Sequence, residues 1–391
     1  MRIRSFNPAN DAETVAALLA VSFGGGPADP AHVRSLRRTK PAECRNRRVA
    51  EDDGKVVAYL EIVPKEIYVG RSLLSVGGIA GVCTDPSARM KGYGRALMRD
   101  TVEFMRREGY DFTLLYGIPN YYYKFGYEVV MGRHLVTVAQ AEIPSMNLKY
   151  SRRAAGEKDL PGMKRLYNGQ ARFRDGNCLR RTMRLRKNAF KLTDSRGRLA
   201  AYAIWSAQDG TLAVREGMAR DGRAGRALLG ALKGAAWNQA LDHVSVLMPF
   251  GYPLTDAMRP LASTYRRANT NRGGCMGRVL NLDSLARKLT REWTRLLVRS
   301  ELAAARGRVN VRIGDETLAL SYAKGRISTD VTGRAAEAEV PQEKFSQMLF
   351  GYAGVKELAD SGEVRIPKVC RRLFEILFPE RTSFLFVPDH F

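Results

Sequence analysis

The sequence predicts an α/β protein of three domains, an N-terminal domain at 1–148, a central domain at 149–275 and a C-terminal domain at 276–391. Its length of 391 residues points to two or three domains at about 150 residues each. Residues 1–148 alternate strand-like and helical segments. The central domain repeats a similar order less clearly, and the C-terminal domain combines a helix, several short strands and two late helices.

The chain is strongly basic, with 64 Lys and Arg against 40 Asp and Glu and a formal net charge of +24. That excess favours a polyanionic partner such as a nucleotide cofactor, nucleic acid or an anionic lipid surface. The charge is uneven, at +5 for residues 1–150, +11 for 151–200 and +8 for 201–391. The middle of the chain therefore needs its own explanation.

Cysteine and histidine usage argues against a disulfide framework or a metal centre. The five cysteines are scattered without a CxxC pair, and the four histidines are also far apart in sequence. No apolar run approaches the ~20 residues of a membrane helix, and the N-terminus predicts an amphipathic helix rather than a signal peptide. We expect a cytoplasmic protein without a metal.

The periodicity of the N-terminal domain predicts most of its elements. Strands are expected at Lys55–Val69, Leu73–Thr84 and Tyr110–Tyr116, with Asp53-Gly54 as a hairpin turn before the first of them. Apolar residues at helical spacing predict a helix at Gly94–Glu108. The last strand of the domain is expected at Tyr127–Val138.

A glycine loop at Arg89–Gly94 is the strongest local signal. It follows a strand and an Asp85-Pro86 turn, and it opens the amphipathic helix. Such a loop directs successive backbone N–H groups into one concavity at a helix N-terminus, which suits a pyrophosphate. The pattern fits neither the dinucleotide fingerprint nor a P-loop. A plain glycine turn before a surface helix is the alternative.

Three segments together resemble a GNAT acetyltransferase: Gly78–Pro86, the loop 89–94, and the aromatic stretch Tyr122–Tyr127. The whole chain is similar to the Eis (enhanced intracellular survival) family, which implies a degenerate GNAT fold in the centre and a sterol-carrier-protein-like C-terminal domain. The central Gly222–Ala227 looks like a glycine loop that lost its pyrophosphate site, and an unrelated surface turn is equally compatible.

The resemblance implies acetyl-CoA as co-substrate and assigns residues to hold it. The strand before the loop presents its backbone to the pantetheine and acetyl groups, the loop and helix start hold the pyrophosphate, and one tyrosine lines the coenzyme. These residues are Val82, Cys83, Thr84, Arg89, Met90, Lys91, Gly92, Tyr93, Gly94, Arg95 and Tyr122.

Amide formation requires a base for the amine proton and an acid for the leaving thiolate. The strand Leu73–Thr84 carries no carboxylate. The resemblance implies that the α-carboxylate of Phe391 is the base and that Tyr127 is the acid. Three further tyrosines, at 121, 122 and 123, remain alternatives for the acid. Cys83 could form an acetyl-cysteine, but direct transfer, with Cys83 as a spectator, is favoured.

The acceptor stays open between an aminoglycoside, a polyamine, a small amine and a protein lysine. The resemblance implies any of these, together with a homo-oligomer. His390 stands where mycobacterial members have an acid, and residues 31–48 carry seven basic side chains. Both features disfavour a polycationic acceptor.

The basic stretch Arg180–Lys187 allows a second hypothesis. It could bind nucleic acid or an anionic membrane, although a solvated helix face or an oligomer interface is favoured because no aromatic residues are interleaved. The alternative function is a non-catalytic binding protein that uses this basic centre for a polyanion or the C-terminal domain for a lipid.

Overall fold

The computed structural model describes residues 1–24, 26–146, 149–186, 188–270, 272–329 and 335–391. The strands in chain order are β1 Arg2–Ser5, β2 Arg47–Asp52, β3 Lys55–Val69, β4 Ser72–Thr84, β5 Phe112–Gly117, β6 Glu128–Met131, β7 Arg133–Ala139, β8 Ser151–Ala154, β9 Ala189–Thr193, β10 Leu199–Gln208, β11 Thr211–Ala219, β12 His243–Val246, β13 Ser263–Ala268, β14 Gly274–Val279, β15 Gly307–Ile313, β16 Glu316–Ala323, β17 Arg326–Ser328 and β18 Ala336–Val340. The helices are α1 Pro8–Leu19, α2 Pro30–Arg37, α3 Pro41–Cys44, α4 Tyr93–Arg107, α5 Leu160–Ala171, α6 Gly222–Trp237, α7 Pro253–Met258, α8 Leu282–Val298, α9 Gln342–Leu349, α10 Val355–Asp360 and α11 Lys368–Leu377.

The first sheet has the strand order β1-β2-β3-β4-β5-β14-β6. Its pairs are antiparallel except β4 with β5, which are parallel because α4 crosses between them. The predicted turn at Asp53-Gly54 is confirmed, since both residues have positive φ, at 45° and 75°. The amphipathic α4 buries Leu97, Met98 and Met105 against this sheet.

The second sheet repeats the pattern of the first, with the order β13-β7-β12-β11-β10-β9-β8. Here β11 and β12 form the parallel pair, and α6 crosses between them. Its core collects the apolar faces of α5, α6 and α7. The predicted α/β class with a tandem GNAT-like centre is therefore confirmed.

The two sheets exchange strands. The N-terminal stretch supplies β7, which lies between β12 and β13, and β14 comes from beyond the central stretch and lies between β5 and β6. The prediction of one strand at Tyr127–Val138 is thus wrong: the chain breaks at Gly132, and its two halves join different sheets. A side chain on Gly132 would meet Asn269 Oδ1 at 2.9 Å, so the crossing point is crowded.

The predicted domain boundaries do not coincide with this exchange of strands, and residue 148 lies outside the described residues. The domain assignment stays a prediction. The third sheet, β17-β16-β15-β18, packs with α8, α9 and α11 into one core that also takes side chains from β3 to β5. The sterol-carrier-protein-like character of this region likewise stays a prediction. Among the described helices, none has the length and hydropathy to span a bilayer.

Candidate active site

The first sheet opens between its two parallel strands. β4 pairs with β5 over four positions, from Val76 with Phe112 to Ile79 with Leu115. Beyond Ile79, β4 continues to Thr84 with register partners on β3 only. The residues Ala80–Thr84, which include Val82 and Cys83, therefore turn one edge of the strand towards a gap. Unpaired backbone groups at such an edge can pair with the amides of an extended ligand.

The glycine loop ends at this gap and leaves a helix N-terminus open. Met90 and Gly92 adopt positive φ, at 63° and 92°, and α4 begins at Tyr93 without any side-chain cap. The first N–H groups of a helix have no partner within the helix, and the helix dipole makes this end attractive to anions. The loop and the first turn therefore form a site that fits a pyrophosphate.

The predicted loop residues are brought together around that end. Arg89, Lys91 and Arg95 are exposed, and the Tyr93 hydroxyl donates to Asp52 at 2.6 Å, which fixes the first turn. At Gly94 a side chain would meet the Thr84 and Tyr121 hydroxyls at 3.2 and 3.3 Å. This crowding requires a small residue where the helix approaches β4.

The aromatic segment separates its tyrosines into different environments. The ring of Tyr122 lies against Gly117, where a Cβ would stand 2.9 Å from it, just beyond the last pair of β4 and β5. Burial raises the pKa of Tyr122 to about 12. Tyr122 thus faces the point where the strands separate.

Tyr127 is instead fully enclosed. Its hydroxyl lies 3.2 Å from Thr113 Oγ1, and Thr113 donates to the carbonyl of Gly77 at 2.7 Å. Because the Thr113 proton is used there, Tyr127 is the donor in their shared hydrogen bond. Burial raises the pKa of Tyr127 well above its usual value. The hydroxyl therefore sits beside a closed part of the β4–β5 pair.

The C-terminal residues reach the opening from the opposite side. A Cβ on Gly78 of β4 would overlap the ring of Phe391. The His390 ring stacks on Tyr116 of β5 with centroids 3.9 Å apart, and its Nε2 lies 2.5 Å from the Tyr116 hydroxyl. The last two side chains therefore contact both strands at their point of separation.

A buried ionic cluster, which sequence reasoning missed, holds this terminal segment. Arg180 donates to both carboxylate oxygens of Asp389 at 2.8 Å and to Glu216 at 2.8 and 2.6 Å. Tyr167 donates to Asp389 at 2.8 Å, and Tyr202 donates to Glu216. We call these five residues the Arg180 cluster. Two carboxylates around one guanidinium satisfy its fork geometry.

The structure also corrects the prediction for the basic stretch Arg180–Lys187. Residues 178–186 form neither helix nor strand, so a basic helix face there is wrong, and Lys187 lies outside the described residues. Arg180 is buried, whereas Arg184 and Arg186 are exposed. In the sequence, the excess of basic residues was the signal for this cluster, but it could not show which arginine is buried.

A cleft of about 1300 Å³ lies between α2, β3, the 178–186 segment and the C-terminal residues. It reaches Val63 and Pro64, which pair with Gly78 and Gly77 of β4, and it includes Asp389. The cleft therefore adjoins the position of Phe391 and can admit a second substrate.

Cys83 is buried beside Tyr59, and burial raises the pKa of its thiol to about 12. A thiol with so high a pKa is a poor nucleophile near neutral pH. Within the described residues, no group of three His, Cys, Asp or Glu side chains is placed to hold a metal ion.

Comparison with known proteins agrees with this geometry. Residues 2–130 match the family model described as an acetyltransferase (GNAT) domain, which confirms the predicted class of enzyme, an N-acetyltransferase, and the GNAT fold implies acetyl-CoA as co-substrate. The fold of the full chain is Eis-like: it matches Eis1 from Mycobacterium abscessus with a TM-score of 0.72 and 15% identity, over 100% of both chains.

Two GCN5-related N-acetyltransferases have the same full-length fold. The protein from Anabaena variabilis matches with a TM-score of 0.78 and 16% identity, over 100% of both chains. The protein from Kribbella flavida matches with a TM-score of 0.76 and 19% identity, over 100% of this chain and 98% of that one. No curated protein matches the sequence with significant similarity.

Proposed function

We propose that this protein transfers the acetyl group of acetyl-CoA directly to a primary amine in the cleft beside β4. The observation that carries the proposal is the meeting of three parts: the open α4 N-terminus, the gap between β4 and β5, and the C-terminal Phe391 on Gly78. The first two suit a phosphate and an extended amide arm, and the third is the residue whose α-carboxylate we propose as the base on the acceptor side.

In the proposed reaction the amine nitrogen attacks the thioester carbonyl, so that a C–N bond forms and the C–S bond breaks. The Phe391 α-carboxylate takes the amine proton, and a tyrosine gives its proton to the leaving thiolate. The central domain is proposed to be non-catalytic, and Cys83 to be a spectator. The acceptor is a small-molecule amine or a protein lysine.

Geometry favours Tyr122 over Tyr127 as the acid. Tyr127 would have to break its bond to Thr113 and leave an enclosed position, whereas Tyr122 already lies where the strands separate. Tyr127 then acts as a positioning residue that braces Thr113 and Gly77 behind the gap.

The test measures free-thiol release with a panel of amines and, separately, the Kd for acetyl-CoA. A chain extended by one residue past Phe391 and the variant Tyr122→Phe are each expected to lose about 10²–10⁴-fold in turnover, the usual contribution of an acid or a base. Their Kd should stay within a fewfold of the parent value.

Tyr127→Phe is expected to lose less, and the exposed Tyr123→Phe is the matched control with unchanged turnover. A larger loss in Tyr127→Phe than in Tyr122→Phe would return the acid to Tyr127. Undiminished turnover in the extended chain would remove the carboxylate from the mechanism.

A further inference from the structure

The cleft beside β4 carries an excess of positive charge that its own carboxylates do not neutralise. Four of its acidic residues are already engaged in ion pairs: Glu61 with Arg47, Glu66 with Arg181, Glu108 with Arg45 and Asp389 with Arg180. The acidic charge of the lining is therefore almost entirely used within the protein.

Five basic residues of the same lining have no carboxylate within 4 Å among the residues that the structure describes. They are Arg34, Arg38, Lys65, Arg184 and Arg186. On the acidic side only Glu43 is similarly unengaged within the described parts of the chain. The unneutralised charge of the cleft is thus positive.

These cations stand on three different walls. Arg34 and Arg38 are on α2 and at its end, Lys65 is on β3, and Arg184 and Arg186 are on the segment from the central stretch. Burial lowers the pKa of His390 to about 4, and the positive charge of Lys65 contributes to that shift. A cleft whose walls share one sign of charge focuses its field on whatever enters.

Resting on the proposed acetyl transfer, we propose that the natural acceptor is an amine that also carries a phosphate or carboxylate group, which these cations hold while the amine points to Phe391. Such a molecule places its anion on the walls and its amine near the terminal carboxylate. The same side chains repel a polycationic acceptor, so the charge of the cleft selects anionic amines over polycationic ones.

The experiment compares matched amines in free-thiol release at saturating acetyl-CoA. Phosphoethanolamine is set against ethanolamine, 4-aminobutyrate against butylamine, and spermidine represents the polycations. We expect kcat/KM to be about tenfold or more higher for the anionic member of at least one pair, since charge complementarity acts on encounter and binding. The two pairs distinguish phosphate from carboxylate.

A binding measurement keeps the proposal testable without turnover. A dye-labelled peptide of four aspartates around one lysine is titrated in the presence of saturating coenzyme A, which occupies the loop at 89–94. Arg34→Glu combined with Arg38→Glu is expected to weaken binding by about tenfold. Arg291→Glu combined with Arg299→Glu is the matched control, because both arginines are exposed, unpaired within the described residues and outside the cleft.

The outcomes separate the two proposals. Anion binding that depends on Arg34 and Arg38, without acetyl transfer to any amine, supports the anion-binding cleft and contradicts the proposed function. Transfer to ethanolamine, butylamine or spermidine that equals or exceeds transfer to the anionic amines supports the function and overturns the inference. Equal peptide binding by the charge-reversed variant and the control overturns it as well.

Discussion

The two GNAT-like sheets share one strand pattern, but the helices that follow β4 and β11, α4 and α6, begin differently. In the first, α4 begins at Tyr93, and the preceding Gly92 provides no side-chain cap. In the second, Asp221 accepts from Ala224 N at 2.8 Å and occupies the start of α6 with its own carboxylate. The same helix end is therefore open to an external anion in one sheet and closed by an internal one in the other.

The prediction of a degenerate glycine loop in the central domain is wrong. Gly222–Ala227 belongs to α6 itself and forms no loop. A Cβ on Gly225 would overlap Pro253, so this glycine is needed for close packing of α7. A glycine pattern alone cannot distinguish a turn that binds phosphate from a helix face that packs tightly.

The gaps beside the parallel strands also differ. In the first sheet β4 has register partners on β3 only beyond Ile79, which leaves the gap. In the second sheet Leu254 packs on Gly217, and Glu216 accepts from Arg180, which also donates to Asp389. Phe386 fills the same region against Tyr167 and Tyr252. The central sheet thus anchors the C-terminal segment at the position where the first sheet has its gap.

The largest expected effect comes from breaking that anchor. Arg180→Gln leaves Asp389 and Glu216 buried without their cation, which should lower the free energy of unfolding by about 3–5 kcal/mol. If the cluster positions Phe391, turnover should fall further than the folded fraction explains while the Kd for acetyl-CoA is retained. Urea denaturation and thiol release measure the two effects.

Arg181→Gln is the matched control for the loss of an arginine. Its bond to Glu66 is exposed, so the expected change is about 0–1 kcal/mol. Normal turnover per folded molecule in Arg180→Gln would show that the cluster is structural only.

The next largest effect is expected from substitutions that add a cap to α4 and remove the cap of α6. Gly92→Asp places a carboxylate at the open end of α4 and should weaken coenzyme A binding by about 10–100-fold, since an anion then competes for the same N–H groups. Asp221→Ala should leave that affinity unchanged and cost about 1 kcal/mol of stability through the lost cap. Calorimetric titration of coenzyme A and thermal unfolding measure these changes.

Part of the Gly92→Asp effect could come from its positive φ of 92°, which only glycine adopts without strain. Gly92→Ala carries the strain without the charge and is the control. Equal losses of affinity in the two variants would contradict the competition by charge.

The smallest expected effect concerns two histidines, one at each sheet. Burial lowers the pKa of His390 and of His134 to about 4. Both pKa values lie below the value of about 6.5 in the unfolded chain. The contribution of each neutral histidine to the free energy of unfolding is therefore complete above pH 6.5 and is lost as the pH falls towards 4. Each should contribute about 1–3 kcal/mol to that loss.

Urea unfolding at pH 7.5 and pH 5.0 tests this prediction. His134→Gln and His390→Gln should each reduce the difference in the free energy of unfolding between the two pH values. Only His390→Gln should also alter turnover, because His390 stacks on Tyr116 beside the open gap. An unchanged pH difference in both variants would assign the acid sensitivity to other groups.

Local sequence patterns were sufficient to predict those parts of the site that a single contiguous segment forms. The apolar spacing of residues 94–108 and the glycines of the loop predicted α4 and its N-terminus, since both follow from backbone preferences within a few residues. The strand Lys55–Val69 was confirmed at both ends for the same reason. The motif Tyr122–Tyr127 marked the aromatic segment, but it could not decide which ring faces the gap.

The sequence by itself determined the fold class, the enzyme class and the glycine loop that precedes α4, because each depends on short-range periodicity or on a contiguous motif. Only the tertiary structure decided the exchange of β7 and β14, the burial of Arg180 among residues up to 209 positions away, and the placement of Phe391 on Gly78. These features depend on which distant surfaces bury each other. A charge that looks solvated in sequence becomes an anchor once two carboxylates from elsewhere in the chain surround it.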